Sequence, residues 1–386
     1  MSKSTALLLV GLSVLAILFG YNYFFQPFSY LFTQDQLVLD QEQDPQPSED
    51  PANLIISNLS DRQKINQLIA LPVNLDKFSA PEQEEYRTWL NSNFPGFITI
   101  FGDRVSKVQV NILQSVINQT DIPVWLAVDH EGGSAQRLSG EGFSKLDSWK
   151  DLCDLDQEQL SLRLASSAAE LNGMGIDVVF APVVDLSADN PVLKSRICTD
   201  DPQKMVENAS IYIKQFSDLG ILPVVKHFPG IGETKKDLHF SFERVDVKPT
   251  QASVYRSLLS LRSKMGVMVT HVGVNNQFPD VPCSLSTDCV GELAVNFPQA
   301  LIFSDGLEMK SASYNVEGKN FPLIDVVIEA AEAGNQVLVF GPSVTLDQIE
   351  QIQTALINRY QSDNQFAQKI DKHVEKIIQY KLNYEK

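Results

Sequence analysis

Short apolar runs alternate with longer amphipathic segments along most of the chain, from about Leu54 onward. The runs are rich in β-branched residues, as strands are, and the segments between them repeat their apolar positions with helical spacing. This alternation is typical of βα units around a parallel sheet. Eight runs predict a closed (β/α)8 TIM barrel over residues 54–386, with strands at 67–73, 96–102, 123–129, 176–185, 221–227, 266–272, 300–305 and 335–341.

Helical patterns fill the gaps between the runs, for example at 103–118, 157–175 and 201–220. The last two end on Gly175 and Gly220, and glycine is a common residue at the C-terminal end of a helix. Two more helices are predicted after the eighth strand. We therefore expect one large folded domain rather than several small ones.

The N-terminus has a different pattern. Residues 6–25 are uncharged and strongly apolar, about the ~20 residues that a helix needs to cross a bilayer. Lys3 precedes them, so residues 1–5 are expected in the cytoplasm and the barrel outside the membrane. A cleaved signal peptide is the alternative, but no small-x-small site follows the apolar run. The polar, acidic and Pro-containing stretch that follows predicts a flexible linker over 26–53.

Composition narrows the classes of partner. The formal charge is −17 and no Lys/Arg-rich run is present, which argues against a nucleic acid or an anionic lipid surface. A neutral or cationic ligand fits better, and a monomer is expected. An exported protein with four cysteines could form two disulfide bonds, but an even count does not establish pairing. We expect the four to be buried and unpaired: Cys153, Cys198, Cys283 and Cys289.

Polar and ionisable side chains collect at the C-terminal ends of the predicted strands, where TIM barrels place their active sites: Asp129, Asp185, Lys226, His227, His271 and Asp305. Any one of these carboxylates could instead cap a helix. Four of the five histidines also fall at strand ends or in the loops after them, so a zinc site is an alternative. The chain lacks the H-x-H and H-E-x-x-H spacings of such sites, and we expect neither a metal nor a cofactor.

The loop after the fifth strand, KHFPGIGETKKDLH (226–239), is long and rich in Gly, Pro and charge. It resembles the K-H-F-P-G-H-G-x(4)-D-S-H signature of glycoside hydrolase family 3, in its single-domain β-N-acetylhexosaminidase branch. The resemblance extends from about Leu59 to Phe340. Further segments resemble the family's VDxEGGxVQRL, GINxxxAPVxDV and VxxSDDLxM patterns, namely LAVDHEGGSAQRL (126–138), GIDVVFAPVVDL (175–186) and ALIFSDGLEM (300–309).

The resemblance implies a retaining glycosidase with a covalent glycosyl-enzyme intermediate. Such an enzyme needs a carboxylate that attacks the anomeric carbon and a proton donor near the leaving oxygen. Asp305 is then the nucleophile and His239 the acid/base, since an imidazole titrates near neutrality. Asp237 is expected to orient His239, as the acidic member of a Ser-His-Asp triad does. The resemblance assigns sugar binding to Asp129, Arg137, Arg196, Lys226 and His227.

Three positions depart from the family pattern. Ile231 stands where the family has histidine, Leu238 where it has serine, and Gly306 where it has a second aspartate. The nucleophile, the acid/base and its partner are retained, so we expect hydrolysis of β-linked N-acetylglucosamine from cell-envelope glycans of the peptidoglycan type. The alternatives are an inactive carbohydrate-binding protein on the same fold and a family 3 β-glucosidase or β-xylosidase.

Overall fold

A computed structural model describes residues 51–117, 122–261, 264–313 and 321–384. Its main sheet contains eight parallel strands: β1 (Ile69–Asn74), β2 (Phe97–Phe101), β3 (Trp125–Val128), β4 (Val178–Val179), β5 (Leu222–Phe228), β7 (Gly266–Val269), β9 (Leu301–Ser304) and β10 (Leu338–Val339). Neighbouring strands follow the order β10-β1-β2-β3-β4-β5-β7-β9. Each lies within or overlaps one of the eight predicted runs.

The sheet curls into a nearly closed barrel. The first and last strands in the order approach each other, and Val337 beside β10 forms a parallel bridge to Phe303 of β9. Backbone amides of Gln336 and Ser304 donate across this junction to Ile302 and Val337, each at 2.9 Å. The predicted TIM-like barrel is thus confirmed in its strand number and parallel order.

Helices follow most of the strands and pack outside the barrel. They are α1 (Pro51–Ser57), α2 (Asp61–Gln67), α3 (Ala80–Asn93), α4 (Lys107–Val116), α5 (Trp149–Leu152), α6 (Gln157–Asn172), α7 (Pro202–Ser217), α8 (Pro249–Leu259), α9 (Thr287–Asn296), α10 (Leu323–Ala333), α11 (Leu346–Ser362) and α12 (Asn364–Asn383). The side chains of Asp156 and Asp201 cap the N-termini of α6 and α7. Gly175 and Gly220 follow these two helices with φ of 67° and 69°, where a side chain would be strained.

Side chains fill the barrel interior. Phe303 contacts both Phe97 and Phe180 edge-to-face, with ring centroids 5.7 and 5.8 Å apart. Below Phe97, the buried ammonium of Lys381 donates to the Gln67 side chain and to two carbonyls at the N-terminal ends of the strands. The interior is therefore closed at this end, and the opposite end is the one that is open to a ligand.

A second, two-stranded parallel sheet lies beyond β5. It joins β6 (Arg244–Val245) to β8 (Gly273–Val274), so it connects the loops that follow β5 and β7. The long loop predicted to be functional therefore ends in a strand, which the sequence pattern did not indicate. This sheet fixes the C-terminal end of the loop that carries His239.

The expectation of unpaired cysteines was wrong. Cys153 is bonded to Cys198, and Cys283 to Cys289. The first pair is separated by 45 residues, but the fold brings its Cα atoms to 5.5 Å, within the range of ordinary disulfides. Sequence spacing cannot reveal such an approach.

The predicted membrane anchor at 6–25 lies outside the described residues, as does the predicted linker up to residue 50. Helix α1 begins at Pro51, three residues before the predicted start of the barrel domain. Within the part of the chain that the structure describes, no helix is both long and apolar enough to span a bilayer.

Candidate active site

A cavity of about 610 Å³ opens at the C-terminal end of the barrel. Loops after β2, β3, β5, β9 and β10 contribute to its wall, because the carboxyl ends of parallel strands meet there. Seven of the eight predicted site residues line it: Asp129, Arg137, Arg196, Lys226, His227, His239 and Asp305. The eighth, Asp237, does not line the cavity itself but is hydrogen-bonded to His239, which does.

Asp305 directly follows β9, and each of its carboxylate oxygens accepts a hydrogen bond. Oδ1 accepts the Gly306 amide at 2.8 Å, and Oδ2 accepts the Thr270 hydroxyl at 2.9 Å. Burial alone would raise the pKa of Asp305, but the nearby imidazoles of His271 and His227 outweigh it and lower the pKa below the ordinary value. Asp305 is therefore an oriented, ionised carboxylate at neutral pH.

His239 and Asp237 form a hydrogen-bonded pair at the rim of the cavity. Nδ1 of His239 lies 2.7 Å from Oδ1 of Asp237, and the His239 amide donates to the same oxygen at 2.9 Å. A carboxylate only accepts, so Nδ1 carries the proton and Nε2 is left for a ligand. The His239 side chain is 64% exposed. Burial tends to raise the pKa of Asp237, but the hydrogen bonds from His239 lower it overall.

Apolar packing holds the loop that carries this pair. Ile231 and Leu238, two of the positions that depart from the family pattern, are each 5% exposed. They belong to a group that we call the loop cluster: Leu193, Ile197, Ile231, Leu238, Val245, Val272 and Met309. The backbone amides of Lys310 and Ser311 also donate to the carbonyls of His239 and Leu238. The polar groups missing from this loop are thus replaced by hydrophobic contacts.

Charged side chains form a compact network in the wall of the cavity, around Lys226 and Glu131. The Lys226 ammonium contacts Asp129 at 2.8 Å and Glu131 at 2.6 Å, and the Arg137 guanidinium lies 3.6 Å from Asp129. Arg196 binds both oxygens of Glu131, at 2.7 and 2.9 Å. Burial opposes ionisation of Glu131, but Arg196 and Lys226 lower its pKa to about 2. Glu131 is therefore ionised at neutral pH.

Glu131 was not among the predicted site residues, although it is 2% exposed and lines the cavity. The sequence pattern could have identified Glu131 as a residue of the cavity. Side chains alternate in direction in extended chain, so Glu131 shares the inward direction of Asp129 while His130 between them points away. Accordingly, Nε2 of His130 lies 2.6 Å from the Ser167 hydroxyl of α6, outside the cavity.

His227 is oriented from behind by a buried carboxylate. Its Nδ1 lies 2.7 Å from Oδ2 of Asp185, and Asp185 also accepts the backbone amides of His227 and Ile231. With its proton on Nδ1, His227 accepts a hydrogen bond through Nε2 from Arg196 at 3.3 Å. Asp185 thus sets the position of a wall residue and does not line the cavity itself.

His271 supports Asp305 from below. Its ring contacts the Ser284 hydroxyl at 2.6 Å and the Gly306 carbonyl at 3.0 Å. Two of the four strand-end histidines, His227 and His239, therefore line the cavity, and the other two do not. Among the described residues, no group of three His, Cys, Asp or Glu side chains is arranged to hold a metal ion.

The fold and this cavity define a barrel enzyme with an ionised carboxylate and a histidine facing one polar cavity. Residues 61–379 match the family described as glycosyl hydrolase family 3 N terminal domain, so the chain belongs to this family and is a glycoside hydrolase.

Two curated relatives have the name beta-hexosaminidase. The chain is 29% identical over 255 residues to the protein of Tolumonas auensis, covering 63% of this chain and 75% of the relative. It is 31% identical over 254 residues to the protein of Photobacterium profundum, covering 62% of this chain and 74% of that relative. Among solved structures, the β-N-acetylhexosaminidase of Beutenbergia cavernae has a TM-score of 0.74 at 21% identity, over 84% of this chain and 99% of that one. That likeness concerns the fold.

Proposed function

We propose that the protein is a retaining β-N-acetylhexosaminidase that releases terminal β-linked N-acetylglucosamine. The observation that carries the proposal is that Asp305 and His239 line the same cavity. The beta-hexosaminidase name of the curated relatives supports an N-acetylhexosamine as the sugar that is released, and the charged network suits an uncharged ligand with many hydroxyl groups.

In the first step, an oxygen of Asp305 attacks the anomeric carbon and the glycosidic C–O bond breaks. The electron pair of that bond goes to the leaving oxygen, which takes a proton from Nε2 of His239. The imidazole enters this step protonated on both ring nitrogens and leaves it neutral, with its remaining proton on Nδ1. The Thr270 hydroxyl and the Gly306 amide hold the carboxylate in position for this attack.

In the second step, a water molecule attacks the anomeric carbon of the glycosyl ester. Nε2 of His239 removes a proton from the water, and the ester bond to Asp305 breaks with its electron pair returning to the carboxylate. The hydrogen bond to Asp237 keeps the second ring nitrogen protonated throughout. The product has the β configuration of the substrate.

The part of the cavity wall that carries the charged network binds the sugar. Lys226 and Arg196 supply donors, and Asp129 accepts from hydroxyl groups. Arg137 and His227 line the same space. Since Lys226 and Glu131 are almost fully buried and paired, this wall is rigid before the sugar arrives.

We also propose that the protein acts outside the cytoplasmic membrane as a monomer, anchored by residues 6–25 and joined to them by the linker 26–53. The apolar N-terminal sequence supports the anchor. Two disulfide bonds support an oxidising compartment. The substrate is then a cell-envelope glycan of the peptidoglycan type.

The decisive experiment compares turnover of p-nitrophenyl N-acetyl-β-glucosaminide with that of the glucoside and the xyloside. We expect the first to be preferred, and Asp305→Ala or His239→Ala to lower its kcat by about 10³-fold or more. Asp347→Ala, which removes an exposed carboxylate of α11, is the matched control. If the wild-type protein binds the sugar without turnover, it is a carbohydrate-binding protein. If it prefers the glucoside or the xyloside, it is a different glycosidase.

A further inference from the structure

Glu308 is a carboxyl group of the cavity that neither the family pattern nor the mechanism above uses. It lies three residues after Asp305 and lines the same cavity as Asp305 and His239. The Gly341 amide, which follows β10, donates to Oε2 of Glu308 at 2.8 Å. Glu308 therefore joins the loops after β9 and β10 and has a defined orientation.

Two glycines make room for this carboxyl group. A Cβ atom on Gly341 would lie 1.8 Å from Oε1 of Glu308, so the Glu308 side chain keeps this position only because residue 341 has no side chain. A Cβ atom on Gly306 would lie 3.2 Å from Oε2 and 3.3 Å from Oε1. The Glu308 carboxyl group thus lies against the position from which a side chain at residue 306 would begin.

Position 306 is also where this chain lacks the second aspartate of the family pattern. The Cβ atom of an aspartate there would press against the Glu308 carboxyl group, and the two acidic side chains would be close neighbours. The absence of a side chain at 306 and the presence of Glu308 are therefore linked: one acidic group is lost and another occupies the adjoining space.

We propose that Glu308 is a substrate-binding residue that replaces the acidic side chain of position 306 and hydrogen-bonds a hydroxyl group of the sugar beside Asp305. This inference rests on the proposed glycosidase function. Burial raises the pKa of Glu308, and the charge of Asp305 acts in the same direction against the lowering effect of the Gly341 amide.

The test transfers the carboxyl group back to position 306. The variants are Glu308→Ala, Gly306→Asp and the double variant, assayed for kcat/KM on the N-acetylglucosaminide. Loss of a hydrogen bond to substrate should lower kcat/KM of Glu308→Ala by about 10- to 100-fold. The double variant should recover most of this loss, whereas Gly306→Asp alone should be impaired because it crowds two carboxyl groups.

Glu308→Gln keeps the shape of the side chain and serves if Glu308→Ala fails to fold, as judged by its thermal transition. The inference is overturned if kcat/KM of Glu308→Ala stays within twofold of the wild-type value. It is also overturned if kcat/KM of the double variant is no higher than that of Glu308→Ala. Affinity for N-acetylglucosamine, measured by calorimetry on the same variants, should follow the same order. An inactive wild-type protein that still shows this order would refute the proposed hydrolysis but not the role of Glu308.

Discussion

One oxygen of Asp237 binds His239 twice: it accepts the ring Nδ1–H at 2.7 Å and the backbone amide at 2.9 Å. The two residues are separated by Leu238, which is buried in the loop cluster. The turn and the orientation of the imidazole are consequently set by the same carboxylate, so a change at Asp237 acts on the chemistry and on the loop together.

Asp237→Asn removes the negative charge and leaves the size of the side chain unchanged. We expect kcat on the N-acetylglucosaminide to fall by about 10²- to 10⁴-fold, because the imidazole loses its preferred tautomer, while KM changes little. Asp218→Asn, in an exposed ion pair with Lys214, is the matched control. An increase in KM with kcat unchanged would assign Asp237 to sugar binding instead.

Leu238→Ala tests whether the loop cluster holds the loop in place. Removing a buried leucine side chain costs about 2–5 kcal/mol, and the lost packing lies next to His239, so both the thermal transition and kcat should fall. Leu162→Ala, at a leucine that is 66% exposed on α6, should change the free energy of unfolding by less than about 0.5 kcal/mol. A stable Leu238→Ala variant with full activity would contradict this account of the loop.

The Cys153–Cys198 disulfide ends two residues beyond Arg196, which binds Glu131 and His227. The double variant Cys153→Ser/Cys198→Ser should lose about 2–5 kcal/mol of stability. It should also raise KM more than it lowers kcat, since Arg196 belongs to the charged network that we propose binds the sugar. Thermal unfolding and steady-state kinetics measure the two effects, and an unchanged KM would show that the disulfide has no influence on this network.

Glu131 makes the free energy of unfolding depend on pH in the acidic range. Its pKa falls from the ordinary 4.5 to about 2 in the folded protein, so unfolded chains bind more protons between these values. Its contribution is present above about pH 4.5 and is lost as the pH falls toward 2. Glu131→Gln should lower the thermal transition at pH 7, because Lys226 and Arg196 lose a charged partner, and should flatten its decline between pH 4.5 and 2. Parallel pH profiles for the two proteins would refute this.

The fold was largely predictable because buried parallel strands are continuous apolar runs. The fourth run shows the limit. Residues 176–185 read as one strand, but the regular ladder covers only Val178–Val179. Pro182 has no amide to donate, and beyond it a single bridge joins Val183 to Lys226.

The site was predictable where it depends on strand ends, and not where it depends on contacts between distant residues. Glu131 could have been found from the alternation that places it beside Asp129. The hydrogen bond between Glu308 and Gly341 could not have been predicted, since the two residues are 33 positions apart and meet only through the register of neighbouring strands. The cysteine pair 153 and 198 is missed for the same reason.

The exposed position of His239 has a consequence for the size of the molecules that the enzyme can process. Asp305 lies within the cavity, whereas the imidazole of His239, the proposed proton donor, is 64% exposed at its rim. Under the proposed mechanism, the bond to be cut lies at the cavity mouth, and the leaving portion of the substrate faces bulk water. The departing portion needs no room within the protein, so a long glycan strand and a small chromogenic alcohol leave by the same route.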